Sequence, residues 1–190
     1  MDIILASASP RRKELMEKAG FEITIIPAGC QEKADPGSAA EVVKTLAVQK
    51  AEWVAKSIKD KYPADTIVIG ADTVVALDET ILGKPKDKED AFSMLKTLSG
   101  KEHQVYTGVS IISLDGSIRE GFVSCTRVKF YDLTDEEIKD YVETGEPMDK
   151  AGAYGIQGKG GMLVEGITGD YSNVVGLPIG ELYRILKKYI

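Results

Sequence analysis

Ser7-Ala8-Ser9-Pro10-Arg11-Arg12-Lys13 places two hydroxyls ahead of three cations at what reads as a helix start. A helix N-terminus carries partial positive charge and favours acidic residues by about 0.3–1 kcal/mol each, so a first turn of arginines is an anomaly. Exposed amides, hydroxyls and guanidinium groups together suit a phosphate-bearing ligand. A solvated basic turn screened by water is the alternative. Lys50 is the second anomaly, because it falls inside the apolar stripe of Val43, Leu46, Ala47, Val54 and Ile58. Either it snorkels to the surface along its stem, or its ammonium lines a pocket that holds negative charge. Asp72, followed by Thr73, arrives at the end of the apolar run Ile67-Val68-Ile69-Gly70-Ala71. Strand ends are favoured ligand positions in α/β proteins. A carboxylate there can bind a divalent cation or accept a proton from water, or simply be hydrogen-bonded at a strand terminus.

Two further segments are weaker signals. Gly83-Lys84-Pro85 sets a lysine between a flexible and a rigid residue just before a helix start, which suits phosphate positioning or an ordinary surface turn. It is far from the GxxxxGK[ST] pattern of a P-loop. Asp149-Lys150-Ala151-Gly152-Ala153-Tyr154-Gly155-Ile156-Gln157-Gly158 lets the backbone approach a ligand closely, and Gln157 offers the donor and acceptor that base recognition requires. His103 has no matching nucleophile, and Cys30 and Cys125 read as packing or surface residues.

The elements that must carry these residues follow from pattern. Ile3 to Ala6 predicts a buried strand, and Ser9, Pro10 and Gly20 punctuate the helix after it. Phe21 to Ile26 predicts a second strand. Ser38 with Glu41 has capping-box spacing and opens a long helix to about Asp60. Thr66 to Ala76 predicts one buried strand or a hairpin broken near Gly70 to Thr73. Ala91, Met94, Leu95 and Leu98 mark an amphipathic helix closed by Gly100. Val105 to Leu114 and Ile118 to Phe130 flank an Asp115-Gly116 turn, a hairpin signature. Thr134 and Glu137 cap another helix that stops at Gly145. Gly152 to Gly161, with five glycines, reads as loop, Met162 to Ile167 as a strand, and Pro178 as the start of a last helix. Intermixed strands and helices predict an α/β or α+β domain around a mixed sheet, with one domain spanning 1–190.

Composition narrows the function classes. The 190 residues are 43% hydrophobic and 28% charged, enough for one ordinary core. No apolar run reaches the roughly 18 residues of a membrane span, and Met1-Asp2-Ile3-Ile4-Leu5 lacks a basic leader. Two distant cysteines and one histidine argue against a disulfide framework or structural zinc, and predict a cytoplasmic setting. A net charge of −6 argues against long nucleic acids, while leaving a small anion open.

The order of six segments is distinctive. Ser7 to Arg12, Ala71-Asp72-Thr73, Gly83-Lys84-Pro85, Thr107-Gly108-Val109, Asp149 to Tyr154 and Asn173-Val174-Val175-Gly176-Leu177-Pro178 together resemble the Maf family of septum-formation-inhibitor-like nucleotide pyrophosphatases. The resemblance runs from Leu5 to the final helix. It implies an α/β fold similar to the inosine-triphosphate pyrophosphatases, a mixed sheet flanked by helices, with the site in a cleft between two lobes. It implies hydrolysis of a nucleoside triphosphate to monophosphate and pyrophosphate with a divalent cation, Mg²⁺ or Mn²⁺, with Co²⁺ a further candidate.

Carried over residue by residue, the resemblance puts catalysis on Asp72 as general base with Lys84, Lys50 and Arg12. It puts substrate binding on Ser7, Ser9, Arg11, Thr73 and Gln157, and the cation on Asp72 and Glu32. Many members read an acidic–valine–acidic stretch where this chain has Cys30-Gln31-Glu32. The segment Ala153 to Gly158 is similar to the dTTP/UTP branch, with specificity positions at Arg11, Thr73 and Gln157. Rival readings are a pyrophosphatase for 7-methyl-GTP or other modified nucleotides, and a non-catalytic nucleotide-binding regulator of cell division. A homodimer is common in similar proteins.

Overall fold

In the computed structural model, which describes all 190 residues, chain punctuation and apolar pattern set most elements where local physics demands them. Strand β1 (Ile3–Leu5) leads into helix α1 (Pro10–Lys18), whose N-cap Ser9 accepts the Arg12 amide and whose first turn holds no acidic residue. Strand β2 is only Thr24–Ile25, shorter than the Phe21 to Ile26 expected. Residues 20 and 21 are spent closing α1: the Gly20 amide bonds to Glu17 O and the Phe21 amide to Met16 O. Helix α2 (Ala39–Ile58) opens with the full Ser38/Glu41 capping box.

Strand β3 (Ile67–Leu77) is continuous through Gly70 to Thr73. It turns at Asp78, in the left-handed region at φ 53°, into β4 (Thr80–Leu82), a strand the sequence pattern did not announce. Helix α3 (Lys88–Leu98) is capped by Asp87. Strands β5 (Glu102–Ser113) and β6 (Arg119–Phe130) flank the Asp115-Gly116 turn, and α4 (Asp135–Glu143) carries the Thr134/Glu137 capping box. The glycine-rich stretch folds as short 3₁₀ turns at Ala151–Ala153 and Lys159–Leu163, after another at Glu146–Asp149. Strand β7 (Val164–Thr168), the short α5 (Tyr171–Val175) and α6 (Ile179–Leu186) complete the chain.

The seven strands form one mixed sheet in the order β2-β1-β3-β5-β6-β7, with β4 added to β3. Strands β2 and β3 run parallel to β1, while β4 is antiparallel to β3 and β7 to β6. No helix is long and apolar enough to cross a membrane.

The chain divides into two compact units, and the division falls within β3, β5 and β6. The first unit comprises Met1–Asp72, Thr107–Ser124 and Gly176–Ile190. Its sheet is covered on both faces. Ile3 and Leu5 of β1 pack with Met16 of α1 and Leu182 and Leu186 of α6, whereas Ile4 and Ala6 pack with Ala51, Val54 and Ile58 of α2. Parallel strands buried on both sides read as continuous apolar runs for this reason. The second unit, Thr73–Tyr106 and Cys125–Val175, has a single core of Leu95, Leu98, Phe130, Ile138, Tyr141 and Tyr154 with their neighbours.

Candidate active site

Two glycines decide where Lys50 goes. A Cβ on Gly70 of β3 would lie 2.2 Å from Ala47 O, and one on Gly108 of β5 would lie 2.4 Å from Val43 O. Helix α2 therefore rests on the sheet at backbone contact distance, which only glycine permits. Ala47 and Ala51 are fully buried against it. At that separation, Lys50 does not snorkel outward but reaches Asp72. Asp72 lies in the middle of β3 and not at the strand end that the apolar run predicted, because β3 runs on to Leu77. Its ammonium lies 2.6 Å from Asp72 Oδ1 and 3.0 Å from Glu32 Oε1. The side chains of Lys50 and Asp72 are each 12% exposed, and that of Glu32 is half exposed.

Glu32 gets there through a residue the sequence reading passed over. Gln49, beside Lys50 on α2, accepts the Lys33 amide at 3.2 Å and donates to the Lys33 carbonyl. This two-way amide clasp ties the irregular chain around Glu32 to the helix. Gly29 lies against the Trp53 ring, where a Cβ would meet the ring at 3.0 Å. The signal for Gln49 was its position next to a lysine already singled out.

The Ser7 to Arg12 turn is built inward from the same unit. Ser7 is buried, and its Oγ accepts the Ser9 amide at 3.2 Å and Arg12 Nη1 at 3.1 Å. Arg12 also donates from Nη1 to Ala71 O at 3.0 Å and from Nε to Gly176 O at 2.7 Å. Its guanidinium thus joins the start of α1, the residue before Asp72 and the chain entering α6. Burial pushes the Arg12 pKa below its usual range, against the opposing pull of the Asp72 carboxylate and with the repulsion of Arg11. Arg11 is partly buried on the same first turn.

The first unit therefore gathers Ser7, Ser9, Arg11, Arg12, Glu32, Lys50 and Asp72. The second unit carries Thr73, which follows Asp72 along β3, together with Lys84 and Gln157. Lys84 is exposed in a turn whose Gly83 carbonyl accepts the Gly152 amide at 3.0 Å. Gln157 is exposed within the glycine-rich segment. His103 is fully buried, with Nε2 2.9 Å from the Tyr154 hydroxyl, and belongs to the core of the second unit.

The donors available to a cation are the carboxylates of Glu32 and Asp72, and no group of three or more His, Cys, Asp or Glu side chains converges anywhere. Mg²⁺ commonly takes one or two carboxylates and completes its shell with water and substrate phosphates. Hard oxygen donors also suit Mn²⁺. The Glu32/Asp72 pair fits an ion of that kind. The Lys50 ammonium already placed between them shows that the pair gathers positive charge.

A doubly covered α/β sheet with a lysine-bridged carboxylate pair beside a basic helix turn is the arrangement of an enzyme acting on a phosphorylated substrate. The sequence model of the family described as Maf-like protein matches residues 2–189, and the chain belongs to that family. It is 52% identical over 189 residues to the dTTP/UTP pyrophosphatase of Carboxydothermus hydrogenoformans, covering 100% of this chain and 99% of the relative. It is 51% identical over 197 residues to the dTTP/UTP pyrophosphatase of Agathobacter rectalis, covering 98% and 96%. The protein of the same name from Bacillus anthracis is 51% identical over 188 residues, covering 98% and 95%. A solved nucleoside-triphosphatase, dITP/XTP pyrophosphatase, from Mycobacterium abscessus aligns with 70% of this chain and 76% of its own at a TM-score of 0.40 and 12% identity.

Proposed function

We propose that this chain is a dTTP/UTP pyrophosphatase, hydrolysing the nucleotide to its monophosphate and pyrophosphate. The observation that carries the reading is Lys50 Nζ bridging Asp72 and Glu32 in the unit that also holds the Ser7 to Arg12 turn. Relatives about half identical over the whole chain bear the same activity in their names and support it.

A nucleoside triphosphate brings about four negative charges, and an approaching nucleophile is repelled until they are offset. Arg11, Lys50 and Lys84 offset that charge. Arg12, committed to Ser7, Ala71 and Gly176, holds the turn and the middle of β3 in register and adds its own positive charge. Ser7 and Ser9 orient the phosphates beside α1. Asp72 takes the proton from the water that attacks the α-phosphorus. Lys50, bonded to Asp72, keeps the carboxylate aimed and stabilises charge that develops on the phosphate. Glu32 and Asp72 would hold a divalent cation, Mg²⁺ or Mn²⁺, which when bound supplies a Lewis acid for phosphate oxygens and a more acidic water. Arg11, Thr73 and Gln157 select the pyrimidine, the Gln157 amide by donating to and accepting from the base edge. The reading takes 1–190 as one catalytic domain working in the cytoplasm, with a homodimer as the assembled form.

A hydrolysis screen of the canonical triphosphates and 7-methyl-GTP, with and without Mg²⁺ or Mn²⁺, tests this directly. The expected products are monophosphate and pyrophosphate, metal-dependent and greatest for dTTP and UTP. Orthophosphate as the product, preference for 7-methyl-GTP, or binding without turnover would each overturn it.

A further inference from the structure

In the second unit, the glycine-rich segment around Gln157 is held by two side chains outside the predicted site residues, Tyr141 and Glu146. Tyr141 projects from α4, where its ring is buried in the core. Its hydroxyl accepts the Gly155 amide at 3.2 Å and donates to Glu146 Oε1 at 3.0 Å. The same Glu146 oxygen accepts the Gly160 amide at 3.1 Å, and Oε2 accepts the Lys159 amide at 3.0 Å. One phenol and one carboxylate thus take up three backbone N–H groups, one before Gln157 and two after it.

The glycines show how closely the chain is wrapped. A Cβ on Gly158 would lie 2.5 Å from both carboxylate oxygens of Glu146. A Cβ on Gly160 would lie 2.6 Å from the Tyr141 hydroxyl oxygen and from Gly155 O. The loop is folded around the Glu146 carboxylate as a small anion is held in a nest of amides. Burial alone would raise the Glu146 pKa, but the amides of Gly160 and Lys159 and the Tyr141 hydroxyl outweigh it and hold the group below its usual range. The base of the clasp is fixed in turn: Lys150 donates to Glu146 O at 2.9 Å, and Tyr154, entering the loop, meets His103 at 2.9 Å. Gln157 stands exposed between the two clasped ends.

We infer that Tyr141 and Glu146 are positioning residues for base discrimination, setting the placement of the Gln157 amide without touching the reacting atoms. The inference rests on the reading of Gln157 as the group that meets the base. A hydrogen-bonding site rejects the wrong partner only when its donor and acceptor are held in place. Slack in this clasp therefore costs selectivity before it costs turnover. A pair that served stability alone would lower the melting temperature and leave the ratio between substrates intact.

The test compares Glu146→Ala, Glu146→Gln, Tyr141→Phe and Gln157→Ala with the parent protein, using kcat and KM for dTTP and dCTP. Glu146→Ala is expected to reduce the dTTP-over-dCTP ratio of kcat/KM by roughly 10-fold, through KM, with kcat within about 3-fold of the parent. Glu146→Gln keeps one acceptor oxygen and should recover part of the ratio. Amide hydrogen exchange in the unliganded protein should quicken at Gly155, Lys159 and Gly160 in Glu146→Ala. If Glu146→Ala does not fold, Glu146→Gln and Tyr141→Phe carry the same comparison. A ratio unmoved by the Glu146 and Tyr141 variants, while Gln157→Ala shifts it, overturns this inference alone. A ratio unmoved by Gln157→Ala overturns the base-reading role and this inference with it.

Discussion

Replacing Gly70 with alanine puts the link between sheet packing and the site to its most direct test. The added Cβ would sit 2.2 Å from Ala47 O and 2.7 Å from the Ala51 amide nitrogen, both backbone atoms of α2. Neither can rotate away, so the helix must lift by about 1 Å to restore van der Waals distance. Overpacking of this kind costs about 1–3 kcal/mol. For a chain of this length that corresponds to a fall in Tm of roughly 2–4 °C for each kcal/mol. The same displacement draws Lys50 away from Asp72, stretching a 2.6 Å contact to about 3.6 Å, outside hydrogen-bonding range. Misplacement by about 1 Å at a reacting centre can cost up to about 10²-fold in rate. Urea denaturation and steady-state hydrolysis of dTTP read the two effects. Unchanged stability together with unchanged kcat would refute the claim that the absence of a Cβ at Gly70 sets the Lys50 position.

Arg12→Lys should destabilise the protein by about 1.5–3 kcal/mol in urea titration, because an ammonium cannot serve Gly176 O, Ala71 O and Ser7 Oγ as the guanidinium fork does. A stability equal to the parent's would remove its role as a tie between the three segments. Lys84→Ala should lower kcat by roughly 10²-fold with the fold intact by circular dichroism, since the side chain is exposed and in the proposed mechanism acts on the substrate's charge; unchanged turnover would take it out of the mechanism. His103, fully buried, has its pKa pushed down to about 4 by burial. Between the unfolded value of 6.5 and 4 the unfolded chain binds more protons, so stability falls as the pH drops through that window, by about 3 kcal/mol in full. A His103→Gln variant should show less of this pH dependence in urea titrations at pH 7 and pH 4.5, and an identical dependence would contradict it.

Helices with their own stop and start chemistry were legible residue by residue. Ser9-Pro10, Ser38 with Glu41, and Thr134 with Glu137 cap α1, α2 and α4 where the pattern placed them. Element ends that depend on neighbours were not. Phe21 reads as the start of a strand but is used to close α1, and Thr80–Leu82 becomes a strand only because β3 offers it an edge. Lys50 and Asp72 were visible as charges set against apolar runs and Glu32 through the family resemblance, whereas their pairing was not, since Glu32 lies eighteen residues from Lys50 in irregular chain. Glu146 carried no signal at all: an acid before a proline is unremarkable until three amides close around it or its phenol partner.

Capping residues and apolar periodicity were enough to place the helix starts and the buried runs of β1 and β3, and side-chain types were enough to nominate the groups proposed to meet a triphosphate. These depend on periodicity and on side-chain chemistry, which are local. Packing between remote segments is what rests α2 on Gly70 and Gly108 closely enough for Lys50 to join Asp72 to Glu32, and what commits the Arg12 donors to Ser7, Ala71 and Gly176. Such distances depend on backbone approach between segments remote in the chain, and no residue encodes them alone.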